Sequence, residues 1–335
     1  MKVGDVGEFG LIERLAALVG VAREGVVVGI GDDVAVLRAE GEAWLLATVD
    51  SQVEGVHFLR EAMTPYQLGR KALAINVSDI AAMGGTPTYA LISLVLPPDL
   101  EVAWVEELYR GLQAEAERSR VAVVGGNMAR SSDGVVIDVA LLGTVAQEEV
   151  LLRSGAQPGD RVLVTGTLGD SAAGLHLILH PEVAVPDADR AYLLDRHLTP
   201  TPRLAEARVI AQSRLATAMI DISDGLSSDV GHICKASHVG VRLWAERLPI
   251  SDATCRVAER MGRPAWELAL TGGEDYELCF TAPASAVPEV QRRVKEATRT
   301  PVVEVGEILP PEAGRWLVLP DGEEIPLTAR GWQHF

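Results

Sequence analysis

Eight carboxylates stand beside glycines or at the ends of apolar runs: Asp32, Asp33, Asp50, Asp79, Asp221, Asp224, Glu274 and Asp275. Gly29-Ile-Gly-Asp-Asp33 follows the run Val26-Val-Val28, and Ile220-Asp-Ile-Ser-Asp-Gly225 repeats that order in the second half of the chain. A third acidic turn is Gly272-Gly-Glu-Asp-Tyr-Glu277. Glycine at such a turn lets a ligand come close to the backbone. Carboxylates gathered without a cation repel one another and disfavour their own ionised forms. Mg²⁺ relieves that repulsion because it is a hard ion that binds oxygen and shares itself between carboxylates and phosphates. The chemistry this suggests is metal-assisted phosphoryl transfer. Taken singly, each acid could equally cap a local turn, and Asp224 is placed to cap a helix starting near Gly225.

Two further polar residues sit in apolar surroundings. Asn76 and Asp79 lie three apart in a stretch of helical character and project together from it. Burying them unpaired is costly, which favours a ligand-binding role over surface bonding to the backbone. His57 follows Gly55 in a loop, where it is either solvated or in touch with a substrate.

The whole chain narrows these choices. With 30 basic against 47 acidic residues, its net charge of −17 argues against a nucleic-acid partner. Lysine occurs only at positions 2, 71, 235 and 295, so phosphate chemistry would rest on metal ions and a few arginines. An apolar fraction of 48% excludes a disordered chain. No apolar run has membrane-spanning length, and residues 1–10 lack the basic start and apolar core of a secretion signal. The expectation is a cytoplasmic protein. Cys234, Cys255 and Cys279 match no metal or redox spacing and read as reduced core thiols.

The elements that must position these residues read as follows. A helix at 9–18 precedes strands at 26–28 and 43–49, the latter ending on Asp50. A helix covers 65–83, introduced by Pro65 and stopped by Gly84-Gly85. Then come a strand at 88–96, a helix at 101–120, a strand at 121–124 ending in Gly125-Gly126-Asn127, and a strand at 135–145. This β-β-α-β-α-β-β order is α+β, without Rossmann alternation. Neither Gly-x-Gly-x-x-Gly after a strand nor Gly-Lys-Ser/Thr occurs, so dinucleotide and Walker-type phosphate loops are disfavoured. The Gly/Pro-containing loop 153–159 marks a domain boundary, giving expected domains 1–149 and 150–335. Beyond it come a strand at 161–165, a helix to 179, helical pieces through 211 and a strand at 216–220. A helix then runs to 237, followed by a strand at 278–281, a helix at 284–297 and strands at 302–309 and 316–319.

The motifs named so far, together with Arg153-Ser-Gly-Ala and Asn76-Val-Ser-Asp79-Ile-Ala-Ala-Met-Gly84, resemble the thiamine-monophosphate kinase family. They stand in that family's order and cover nearly the whole chain. The family lies within the aminoimidazole-ribonucleotide-synthetase-like ATP-binding superfamily. The resemblance implies a two-domain fold whose N-terminal domain pairs into an intersubunit β-barrel of a homodimer, with an α/β C-terminal domain completing the active site. It implies Mg²⁺-dependent transfer of the ATP γ-phosphate to thiamine monophosphate by direct in-line attack. Position by position, it assigns Asp33, Thr48, Asp50, Asp79, Asp221 and Asp224 to several Mg²⁺ ions, with Asp50, Asp79 and Asp224 central to catalysis. Arg153, Ser223 and the backbone at Gly126 and Asn127 correspond to ATP contacts. His57, Glu274 and Trp332 correspond to substrate contacts. An indole at Trp332 suits a flat cationic thiazolium, although a tail tryptophan can also simply pin a chain end. Some members carry Asp at the position of Asn127, which brings an amide oxygen and no charge.

Because the acceptor phosphate is already ionised near neutral pH, a strong general base is not required. Catalysis would consist of aligning and screening two anions. Two alternatives follow from the same residues: another ATP-using synthetase of the superfamily, and a non-catalytic nucleotide- or metal-sensing module. The selenophosphate branch would carry a reactive Cys or selenocysteine with a nearby Lys in a glycine-rich N-terminal segment. The N-terminal half here has no cysteine.

Overall fold

A computed structural model describes residues 5–19, 25–39, 41–328 and 331. The first unit contains α1 (Glu8–Val19), β1 (Val26–Val28), β2 (Ala35–Arg38), β3 (Ala43–Val53) and α2 (Pro65–Ala82). It continues with β4 (Thr86–Leu96), α3 (Val102–Ser119), β5 (Ala122–Arg130) and β6 (Val136–Ala146). Its sheet runs β1-β2-β3-β6-β4-β5, with only the β4–β5 pair parallel. β3 and β6 pair along their full length, from Ala43 opposite Ala146 to Val53 opposite Val136. Alternation along β6 turns Ile137, Val139 and Leu141 into the core, where α2 and α3 cover that face.

α2 is the element on which the site depends. Thr64 and Gln67 form a reciprocal capping box around Pro65, and Gly84 just past the C-terminus takes a positive φ of 70°. Nearly all of its circumference is buried, because the sheet, α3 and the second unit surround it. Gly69 and Gly111 allow the close approach of α2 and α3: a Cβ on Gly69 would lie 2.0 Å from the Leu108 carbonyl oxygen, and one on Gly111 2.0 Å from that of Tyr66.

The second unit comprises β7 (Asp160–Thr165), α4 (Asp170–Leu179), α5 (Asp187–Leu198), α6 (Leu204–Ser213), β8 (Ala218–Asp221) and α7 (Leu226–Ser237). Next are β9 (Gly240–Trp244), α8 (Asp252–Met261), α9 (Ala265–Thr271), β10 (Leu278–Pro283), α10 (Val287–Thr298), β11 (Val302–Leu309), β12 (Arg315–Val318) and β13 (Glu324–Pro326). Its sheet runs β13-β12-β9-β11-β7-β10-β8 and is antiparallel except between β12 and β9. Ala81 of α2 shares a core with Leu163, Met219 and Phe280, so one helix contributes to both units. No helix among the described residues is long and apolar enough to cross a membrane.

The two-domain, mixed helix-and-sheet architecture agrees with the sequence reading, but several details differ. β2, a short run with no turn signal of its own, goes unread, as do β9 and α8. Asp50 lies inside β3 rather than at its end, since pairing with β6 carries the strand on to Val53. β5 continues through Gly125-Gly126-Asn127 with a register shift against β4 at Val124, and Gly126 permits the close contact with β4 there. Cys234 and Cys279 are core thiols as expected, but Cys255 is exposed on α8. The six-stranded sheet is open, with β1 and β5 at its edges, and forms no closed barrel. The strands β3, β4 and β5 leave Val49, Tyr89, Leu91, Val124 and Met128 exposed.

Candidate active site

Asp79 on α2, Asp33 in the turn after β1 and Asp221 at the end of β8 bring carboxylate oxygens within 4.8 Å of one another. The neighbours hold this arrangement. Thr48 Oγ1 on β3 donates to Asp79 Oδ2 at 2.7 Å, and the buried Ser78 Oγ donates to Asp221 Oδ2 at 2.6 Å. The latter bond joins α2 to the second unit. Asn76 Oδ1 accepts the Asp50 backbone N–H at 3.1 Å, while its Nδ2 donates to the Ala72 carbonyl at 3.0 Å. Asn76 therefore fixes the β3 backbone at Asp50, and this corrects the expectation that it binds a ligand. Arg153 reaches over from the start of the second unit: Nε donates to Asp33 Oδ1 at 3.2 Å, and its guanidinium makes a further contact with the same oxygen. Asp32 braces the turn, accepting the backbone N–H groups of Asp33 and Arg153 at 3.0 and 3.2 Å.

The electrostatics are those of crowded acids. Burial, then the charges of Asp50, Asp221 and Asp33, pushes the Asp79 carboxyl well above its usual range. Burial and Asp33 push Asp221 up to about 8 despite the Ser78 bond, and burial with Asp33 raises Asp32 to about 6. Arg153 is the counter-charge: burial opposes its ionisation, but Asp33 and Asp32 outweigh burial and hold the guanidinium above its ordinary value. Asp33 Oδ2 is buried with no hydrogen-bond partner among the described residues. Three hard oxygen donors from three elements, one of them unpartnered, fit a divalent cation such as Mg²⁺.

A second convergence lies alongside, where Asp224, Asp229 and His232 place ligand atoms within 4.8 Å of one another. Asp224 does not cap α7. Gly225 occupies the cap, and Asp229 Oδ2 reaches back to accept its N–H at 3.0 Å. Burial and the nearby Arg153, Lys235 and Arg315 lower His232 to about 4. Sequence reasoning missed Asp229 and His232, although their spacing of three on a helix is the signal that could have found them.

A cavity of about 1900 Å³ joins these groups. Asp33, Thr48, Asp50, Asp79, Arg153, Ser223 and Asp224 line it, as do His57 and Glu274, while the buried Asp221 stands just behind its wall. That volume exceeds a typical single-ligand pocket and has room for two substrates. His57 Nδ1 accepts the Val53 N–H at 3.0 Å, which fixes its ring in the loop after β3. Glu274 and Tyr276 both take positive φ, of 63° and 50°, in the turn that brings Glu274 to the cavity. Asp275 points elsewhere: it is buried and accepts the N–H groups of Gly169 and Ser171 at the start of α4, at 2.6 and 3.2 Å. Gly126 and Asn127, on the open edge of the first sheet, are not among the residues lining the cavity. Trp332 lies outside the described residues.

Two family models match the chain: AIR synthase related protein, N-terminal domain, at residues 31–145, and AIR synthase related protein, C-terminal domain, at residues 157–316. Thiamine-monophosphate kinase of Aquifex aeolicus is 41% identical over 335 residues, covering 100% of both chains. The Escherichia coli K12 enzyme of that name is 40% identical over 334 residues, covering 98% of each. A solved structure of AaThiL complexed with AMPPCP and TMP superposes with a TM-score of 0.86 at 38% identity, covering 100% of this chain and 99% of that one.

Proposed function

The chain belongs to the thiamine-monophosphate kinase family, and we propose that it transfers the γ-phosphate of ATP to thiamine monophosphate, giving thiamine diphosphate and ADP. The observation that carries this reading is the meeting of Asp33, Asp79 and Asp221, from both halves of the chain, beside a cavity that also holds Arg153, His57 and Glu274. A structural relative was solved with AMPPCP and TMP together, which matches a cavity with room for a nucleotide and a second phosphate ester.

Asp33, Asp79 and Asp221, with Thr48, Asp50 and Asp224, would hold Mg²⁺. When bound there, the metal screens phosphate charge and lowers the repulsion between donor and acceptor. Arg153 adds a fixed guanidinium to the same region, and Ser223 offers a hydroxyl to the nucleotide. His57 and Glu274 orient the thiamine end, with Glu274 offering an anion to its cationic ring system. Trp332 is assigned to that ring by family resemblance. The acceptor oxygen is already ionised, so the residues need only align it with the γ-phosphate, and the transfer is direct, without a phosphoenzyme.

The working molecule in this reading is a homodimer with domains at 1–149 and 150–335. The exposed apolar residues on β3, β4 and β5 support a second copy closing the sheet into a barrel. Gly126 and Asn127 would meet the nucleotide in that assembly. The test is to incubate purified protein with ATP, Mg²⁺ and thiamine monophosphate and to separate the products by chromatography. Thiamine diphosphate and ADP in equal amounts, both lost with a chelator, are expected. ATP binding with no product would overturn the kinase reading in favour of a sensor.

A further inference from the structure

Lys71 is among the largest fully buried side chains of the described residues, with a side-chain exposure of 0%. It projects from the second turn of α2, flanked by the buried Leu68, Ala72 and Ile75. Burying an ammonium in such surroundings is costly unless it is paired. Its one ion pair among the described residues crosses between the two units, with Nζ 2.7 Å from Glu274 Oε1. The approach is off the ideal hydrogen-bond direction, and no other acceptor satisfies Nζ among the described residues. On the other side of the carboxylate, His197 Nδ1 stands 3.4 Å from Glu274 Oε2 and 3.0 Å from Ser171 Oγ. Glu274 is thus held at Oε1 by the Lys71 ammonium, with the His197 ring beside Oε2, while 27% of its side chain stays open to the cavity.

We infer that Lys71 is a positioning residue for the second substrate: it holds Glu274 in the orientation that receives the cationic end of a thiamine phosphate. The inference rests on the assignment of Glu274 as a substrate contact. Lys71 lines no part of the cavity itself, so it acts only through the carboxylate. The turn carrying Glu274 has the strained φ of 63°, and the ion pair is what anchors that turn to α2. Burial alone would favour the neutral acid at Glu274. The charge of Lys71 is the main term against it, and the carboxyl lies below its usual range. His57 adds a smaller push in the same direction, and burial holds His197 neutral, at about 4.

The experiment compares steady-state kinetics of Lys71→Met, Glu274→Gln and the double variant, varying each substrate separately. Lys71→Met is expected to raise KM for thiamine monophosphate at least about tenfold and to leave KM for ATP within about twofold of the parent. The double variant is expected to match Glu274→Gln, because the lysine has nothing left to position. If Glu274→Gln leaves KM for thiamine monophosphate unchanged, the assignment of Glu274 fails. If Glu274→Gln raises it and Lys71→Met does not, or raises both KM values together, the inference about Lys71 fails. Should Lys71→Met alone not fold, the double variant, which buries no unpaired charge, still decides: a KM above that of Glu274→Gln contradicts the inference, and an equal KM supports it.

Discussion

The residues of the site disagree with one another unless something cationic joins them. Asp79 is held well above its usual range and Asp221 at about 8, by burial first and then by neighbouring carboxylates. An unfolded Asp releases its proton near 3.8, so between about pH 4 and pH 8 the folded chain binds a proton at Asp221 that the unfolded chain does not. This group's contribution to stability therefore falls as pH rises across that window. A divalent ion competes for the same oxygens and becomes the better competitor as the proton is lost. The rise in Tm produced by Mg²⁺ is expected to be larger at pH 8 than at pH 6, and to shrink at both in Asp221→Asn. Calorimetry at the two pH values checks this, and an increment independent of pH would contradict it. At this scale the sequence was informative where glycine or a strand end marked the acid, as at Asp33 and Asp221. It was uninformative where the partner is distant in the chain: the Asn76 bond to Asp50 and the Lys71 pair with Glu274 depend on tertiary packing that no local spacing encodes.

α2 determines how well those residues are placed. It carries Lys71 in its second turn and Asn76, Ser78 and Asp79 close together further along, and its packing on α3 relies on two glycines in close contact with backbone carbonyls. A methyl group at Gly69 cannot be accommodated by rotating a side chain, because the obstacle is the Leu108 carbonyl. Gly69→Ala is expected to cost about 1–3 kcal/mol through overpacking, measured by urea denaturation. It should also weaken Mg²⁺ binding by displacing Asp79. Full stability with unchanged metal affinity would show that α2 is not held this tightly. The helix was legible because Pro65 and the Gly84-Gly85 pair punctuate it. β2 and β9 were not, because short strands with partly buried residues have neither the length nor the alternation to stand out.

At the scale of the molecule, the two sheets share one helix and one cavity, while the strands β3, β4 and β5 expose apolar side chains. If a second copy covers them, Val49→Glu combined with Met128→Glu should convert the protein to a monomer in sedimentation equilibrium, since both side chains are more than half exposed in a single chain. A dimer that survives both substitutions would place the interface elsewhere. A fold of two units was legible in the sequence, but the sheet orders and the sharing of α2 were not, because strand pairing between distant segments leaves no mark on composition. In the proposed reaction, carboxylates from both halves hold the metal that supports phosphate transfer. The most direct measurement is the rate of thiamine diphosphate formation against Mg²⁺ concentration, for the parent protein and Asp221→Asn side by side. The variant is expected to need at least about tenfold more Mg²⁺ for half-maximal rate, or to lose roughly 100-fold in turnover at saturation. Superimposable curves for the two proteins would contradict it.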